Sequence, residues 1–158
     1  MYLETERLIL REFVKEDIKD AKEYLSNHNV MKYIETPFNS EETKQFIYNF
    51  GMCKSPLVYA LVKKDENKVI GHIIFHKFDE LETYEIGWII GESYWGNGYC
   101  FEISKEIIKY AFKTLNLKKV VAETVSENEE SIKLIKRLGM IKENKNNRLL
   151  IFSLYNKS

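Results

Sequence analysis

The sequence predicts an α+β protein of one domain, and three observations carry that expectation. From Leu57 onward, LVYALVK, VIGHIIFHKF and ETYEIGWIIG are apolar, β-branched runs separated only by KDENK and by Asp79 to Leu81, the spacing of successive hairpin-linked strands. Two other stretches repeat apolar residues every three or four positions, as one face of a helix requires: Ile18, Ala21, Tyr24 and Leu25, then Cys100, Ile103, Ile107, Ala111 and Leu115. The 158 residues contain no internal repeat, low-complexity segment or linker, so 1–158 reads as a single domain large enough to bury a core.

Taken in order, RLILREF (7–13) alternates as a first strand, and KEDIKDAKEYLSN (15–27) follows as an amphipathic helix. NVMKYIETPF is short and irregular, with Pro37 ending any helix there. Asn39, with Glu42 three residues on, is a capping box that opens a second helix running to about Phe50. The three strands from Leu57 form an antiparallel meander, the last of them (82–91) being the fourth strand of the chain. A long helix then begins near Gly98; KKVVAETV is a strand, ESIKLIKRLG a helix closed by Gly139, and RLLIFSLY a final strand.

Composition excludes several function classes. Lys+Arg and Asp+Glu are 24 each, a formal net charge of +0, which argues against nucleic-acid binding, since that needs a clustered excess of cations. No apolar run approaches membrane-span length and Met1 leads into a strand pattern without a leader, so the expectation is a soluble, cytoplasmic protein with no membrane partner. The 2 cysteines, Cys53 and Cys100, have no ligand spacing. His72 and His76 share a strand face but stand about 13 Å apart, too far to hold one metal ion, and read as ordinary strand histidines.

The chain has only 7 glycines, yet Gly96 and Gly98 fall together in YWGNGYC. A dinucleotide fingerprint would need a third glycine where Phe101 stands, and a P-loop would need its lysine where Asn97 stands. What remains is a strand that runs through a short loop into a helix start, where free N–H groups and the macrodipole favour an anion and glycines let it approach. The pattern is a pyrophosphate cradle without a lysine. A tight turn in which the glycines serve backbone geometry alone has the same sequence.

The wider context resembles the GNAT superfamily of acyl-CoA-dependent N-acyltransferases, and within it the RimJ/RimL-like branch. TERLILREF (5–13) followed by Asp17 is similar to the branch's opening strand, YEIGWIIGESYWGNGYC to its fourth strand and pyrophosphate motif, and NEESIKLIKRLGM (128–140) to its later helix. The resemblance implies a central, mostly antiparallel mixed sheet splayed at the fourth strand with helices on both faces, and acetyl-CoA as cosubstrate with no metal. It further implies that the CoA pyrophosphate sits on the backbone amides of Trp95, Gly96, Asn97, Gly98, Tyr99 and Cys100. The pantetheine arm would pair with Ile89, Ile90 and Gly91, and Asn128 would contact it. Many relatives carry a tyrosine acid seven residues after the asparagine; Ile135 stands there, which leaves Ser131 as the candidate acid beside the pantetheine arm. Cys100 replaces the usual glycine or alanine. A helix-start thiol can be reactive, or it can be a small residue facing the core.

Acetylating an amine requires a route for the ammonium proton. Period two puts Thr83, Glu85, Gly87, Ile89 and Gly91 on one face of the fourth strand, and Tyr84, Ile86, Trp88 and Ile90 on what reads as the core face. Glu85, with small residues on its own face, is the first candidate base, a solvated strand glutamate being the alternative; Glu123 is the second. Ile89 N–H could donate to the thioester oxygen. Ser131 could equally cap its helix. The reading is direct acetyl transfer in a ternary complex to a primary amine: a protein N-terminus, a polyamine or another small cationic amine, drawn by Asp79, Glu80 and Glu82, or else a solvated hairpin tip. A non-catalytic acyl-CoA-binding sensor or scaffold is the alternative function, and a monomer or homodimer the expected state.

Overall fold

The computed structural model describes residues 1–79 and 81–157, and of 144–146 the backbone alone. In chain order the elements are β1 (Leu3–Glu4), β2 (Leu8–Arg11), α1 (Ile18–Leu25), α2 (His28–Met31), α3 (Ser40–Phe46), β3 (Val58–Lys63), β4 (Lys68–Asp79), β5 (Thr83–Ile90), α4 (Tyr99–Lys113), β6 (Lys119–Val125), α5 (Glu129–Arg137), β7 (Ile141–Asn146) and β8 (Leu149–Tyr155). The strands form one mixed sheet in the order β1-β2-β3-β4-β5-β6-β8-β7. The α+β expectation is met. The sequence pattern missed β1, β7 and α2, so the predicted fourth strand is the fifth.

The chain divides into two compact units, 1–74 with 88–99 and 75–87 with 100–158. β4 and β5 contribute residues to both. In the first unit β1, β2, β3 and β4 pair antiparallel in succession. α1 buries the expected Ile18, Ala21, Tyr24 and Leu25 in a cluster with Phe13, Met31, Ile47, Val58, Ala60, Val62, Val69 and Ile89. α3 starts on the expected capping box: Asn39 Oδ1 accepts from Glu42 N and Glu42 Oε1 from Asn39 N. Its last turn widens into a π-helical turn, Ile47–Gly51. α2 exists because Asn27 Oδ1 accepts from both Asn29 N and Val30 N, a cap inside the stretch that reads as irregular. Arg11 forks both nitrogens onto buried Asp17, at 2.7 and 3.0 Å, tying β2 to the start of α1.

In the second unit α4 buries Ile103, Ile107 and Ala111 completely, whereas Leu115, expected on the same stripe, lies beyond the helix's last residue, Lys113, and is 36% exposed. The β5–α4–β6 crossover brings β6 beside β5 as a parallel strand, in register from Thr83↔Lys119 to Glu85↔Val121. β8 then pairs antiparallel with β6 along its whole length, and β7 with β8. Asn147, in the left-handed region at φ 56°, turns β7 into β8.

The face assignment along β5 needs correcting. Thr83 and Ile89, expected on the open face, are buried, and so is Ile86 on the other, while Trp88 and Ile90 are only partly buried. β5 is covered on both sides, as an interior strand is, so period two does not separate a core face from a solvent face there.

Within the first unit His72 on β4 is fully buried among Phe13, Tyr24 and Phe46, with ring centroids 6.3, 5.6 and 5.3 Å away. Its Nδ1 is 2.9 Å from Tyr24 Oη, and burial pushes its pKa from 6.5 down to about 3. The unfolded chain therefore takes up a proton below pH 6.5 that the folded chain refuses, so stability falls as pH drops from 6.5 toward 3. Urea unfolding should show a loss of about 2 kcal/mol from this one group between pH 7 and pH 5. His72→Phe should flatten that part of the slope; an unchanged slope in the variant would remove His72 as its source.

Candidate active site

β5 is the element that presents chemistry, because the chain leaves its end through the glycine turn. Gly91 N donates to Ile70 O at 2.8 Å, and a 3-10 turn, Glu92–Tyr94, follows. Trp95 then folds back: its indole Nε1 donates to Ile90 O at 3.0 Å and its backbone N to Glu92 O at 3.2 Å. Asn97 Nδ2 closes the loop onto the carbonyls of Tyr94 and Trp95, both at 3.1 Å. Gly96 and Gly98 stand in the left-handed region, at φ 77° and 78°, which explains why both are glycine.

These bonds narrow the sequence expectation. The amide of Trp95 is already used within the loop, and the Ile90 carbonyl and Gly91 N–H also have protein partners. Gly96, Asn97 and Gly98 donate their N–H groups to no backbone carbonyl among the described residues, and α4 begins at the next residue, Tyr99. The N–H groups left for an anion are thus those of Gly96 to Gly98 and the first amides of α4, while Trp95 is bonded back into the loop.

One residue of this site was not identified from the sequence. The Arg7 guanidinium lies 4.4 Å from the centre of the Tyr99 ring. A Cβ built on Gly98 would sit 3.8 Å from Arg7 Nη2, and one built on Gly96 would meet nothing within 4 Å. A side chain at Gly98 would therefore stand against the Arg7 guanidinium, and one at Gly96 would project into open space. A pyrophosphate fits that cradle, with Arg7 supplying the charge that a P-loop takes from its lysine. Arg7 belongs to the opening TERL run, but nothing in its local spacing points to a loop some 90 positions away.

In the second unit, Glu85 is pushed above the ordinary glutamate value first by burial, then by the charge of Glu123, with His76 pulling the other way. Both candidate bases thus belong to one cluster, Glu85 on β5 and Glu123 on β6. On α5 the cap is Asn128: its side chain accepts from Ser131 N at 3.3 Å. The capping role considered for Ser131 therefore belongs to Asn128, and Ile135, in place of a tyrosine, is fully buried in the core. Cys100 keeps a partly accessible edge but is otherwise enclosed, and burial pushes its thiol up to about 12, which supports the small, enclosed residue over the reactive thiol of the two readings. In the acidic group, Asp79 Oδ1 accepts from Leu81 N at 2.8 Å and Glu82 pairs with Lys118 at 3.2 Å; Glu80 lies outside the described residues.

A loop of such amides at the start of a long helix suits a negatively charged ligand, and a partly buried carboxylate suits a proton acceptor. The family model described as "Acetyltransferase (GNAT) domain" matches residues 7–141. The chain belongs to the GNAT acetyltransferases and is an acetyl-CoA-dependent N-acetyltransferase. It is 38% identical over 144 residues to the protein named "Uncharacterized N-acetyltransferase YnaD" of Bacillus subtilis (strain 168), covering 90% of this chain and 84% of that one. It is 26% identical over 152 residues to the [Ribosomal protein uS5]-alanine N-acetyltransferase of Escherichia coli (strain K12), covering 89% and 78%. The crystal structure of a GNAT-family acetyltransferase from Bacillus anthracis superposes with a TM-score of 0.92 at 30% identity, over 100% of both chains.

The two residues at the start of α5 separate cleanly. Asn128→Ala should lower stability by about 1 kcal/mol, a melting-temperature drop of about 2–4 °C, through the lost cap. Ser131→Ala should leave the melting temperature unchanged. Thermal melts of both variants without ligand check this, and a fall in Ser131→Ala would return part of the capping role to its hydroxyl.

Proposed function

We propose that this chain, acting over 1–158 as one catalytic domain of the RimJ/RimL-like branch, acetylates a primary amine by direct attack on acetyl-CoA in a ternary complex. The observation that carries the reading is the turn of Gly96 to Gly98, whose N–H groups meet no backbone carbonyl among the described residues and whose Gly98 lies near the Arg7 guanidinium. Acetyl-CoA supplies the activated acetyl group; the protein binds its pyrophosphate, orients the thioester and manages protons. The amides of Gly96 to Cys100 hold the pyrophosphate, and the end of β5 from Ile89 to Gly91 guides the pantetheine arm with Asn128. The β5–β6 ladder ends at Glu85↔Val121, while β5 itself runs on to Ile90, a pattern that supports a splayed strand open to such an arm.

Glu85 is the base. A carboxylate with a raised pKa takes a proton from an ammonium more readily than an ordinary glutamate does. Ser131 protonates the departing thiolate. That contribution is small, because a thiol is acidic enough to leave with little help; Ser131→Ala costs at most about a hundredfold in turnover. The acceptor is a protein N-terminus or a small cationic amine, and the enzyme works in the cytoplasm. CoA release measured with an alanine-initiated peptide and with spermidine tests this, binding without turnover on any amine being the signature of a sensor instead.

Two variants check the assignment. Gly98→Val places a side chain in the cradle and should weaken acetyl-CoA binding tenfold or more, about 1.4 kcal/mol; unchanged affinity in the folded variant would sink the placement. Glu85→Gln should lower turnover about a hundredfold at pH 7 and recover as pH rises and free amine accumulates. The wild-type acid limb should lie above 4.5, the ordinary glutamate value, as the raised pKa of Glu85 requires. Wild-type rates for Glu85→Gln across that range would pass the role to Glu123.

A further inference from the structure

His76 reads from sequence as an ordinary strand histidine, yet its ring is held in one orientation toward the proposed base. Nε2 lies 3.5 Å from Glu85 Oε1, and Nδ1 lies 3.0 Å from the backbone carbonyl oxygen of Lys77. A carbonyl oxygen only accepts, so Nδ1 carries a hydrogen, and in the neutral ring the lone pair is therefore on Nε2, facing Glu85. One proton fits between Nε2 and Oε1. Without it a lone pair confronts a carboxylate oxygen; with it the pair is imidazole and carboxylic acid, or imidazolium and carboxylate. Glu123, reaching Glu85 from β6, places a second negative charge beside the carboxylate and raises its affinity for a proton. Along β8, the residue opposite Glu123 is apolar Ile151, which adds no charge. The His76 side chain is 27% exposed, which leaves the ring an edge toward water.

We propose that His76 is the positioning residue behind Glu85: it fixes the carboxylate through Nε2 and takes from it the proton that Glu85 removes from the acceptor ammonium. The inference rests on Glu85 being the base. The proton count closes. The ammonium gives one proton to Glu85, which passes it to Nε2, and the imidazolium releases it to water. The neutral amine then forms the C–N bond, the C–S bond breaks, and the second amine proton goes to the CoA thiolate. No oxidant, metal or further reactant enters.

Two measurements test it on the full-length protein. The first follows the His76 ring Cε1–Hε1 signal by NMR at neutral pH, assigned by its loss in His76→Gln. The signal should change position when Glu85 is replaced by Gln, because the carboxylate faces Nε2 at 3.5 Å. An unmoved signal overturns the pairing whatever the chemistry. The second measures turnover with spermidine and with an alanine-initiated peptide. His76→Gln should cut kcat at least about tenfold near pH 7, with melting temperature and acetyl-CoA KM unchanged, recovery at high pH, and rescue by added imidazole. Full kcat in His76→Gln beside an impaired Glu85→Gln overturns the relay and leaves Glu85 as base. Full kcat in Glu85→Gln removes the base and the relay together.

Discussion

The close approach of β4 to the end of β5 is the constraint on which the glycine turn depends. A Cβ at Gly71 would lie 2.2 Å from the Ile89 carbonyl oxygen and 2.8 Å from the Ile90 Cα, distances that no side chain tolerates. Only glycine lets the two backbones run this close, and the Gly91 N–H bond to Ile70 O locks the last step. That fixes where the chain leaves the sheet. The loop beyond is then held from several directions: Trp95 on Ile90 O, Tyr94 Oη on Glu66 at 2.9 Å, and Asn27 and Asn29 on the carboxylate of Glu92. Donors fixed in advance need no reorganisation when a charged ligand arrives, which is where much of the strength of such sites originates.

The same economy governs charge. The proposed cradle would rely on backbone dipoles, on a helix start and on the Arg7 guanidinium, in a protein of formal net charge +0. A lysine in the loop would add affinity, but amides at glycines would reach phosphate oxygens directly, and Arg7, just before β2, would offer its cation without occupying the turn. Its stacking on Tyr99 holds the guanidinium near the start of α4. In the second unit the logic is reversed. There the proposed chemistry calls for a carboxylate less acidic than usual, and partial burial beside a second carboxylate supplies that without any special residue type.

What the sequence made legible was local. The α1 stripe, the Asn39–Glu42 capping box and the glycine turn each lie within a dozen residues, and each formed as expected. β7 was invisible because IKENKN has no alternating apolar pattern: Ile141 is 71% exposed, and the strand exists through its pairing with β8. β1 is two residues long, too short for any period to register. The faces of β5 were misjudged because a strand covered on both sides does not alternate. Arg7 and His76 escaped for a different reason. Their partners, Gly98 and Tyr99 for the one and Glu85 for the other, are neighbours in space only, and no spacing rule along the chain connects them.

The two histidines of β4 make the physical point most directly. His72 and His76 are the same residue four positions apart on one strand, and their sequence contexts, GHI and FHK, barely differ in character. His72 is enclosed by Phe13, Tyr24 and Phe46, and burial drives it to about 3, so it stays neutral at any pH where the enzyme could work. His76 keeps an edge toward water and faces a carboxylate across the neighbouring strand. A charged ring at the first position would have to leave its hydration behind without gaining a counterion, whereas at the second both water and a carboxylate are at hand. A histidine moves protons where its charged form has a partner, and that partner is supplied by the fold rather than by the strand on which the residue sits.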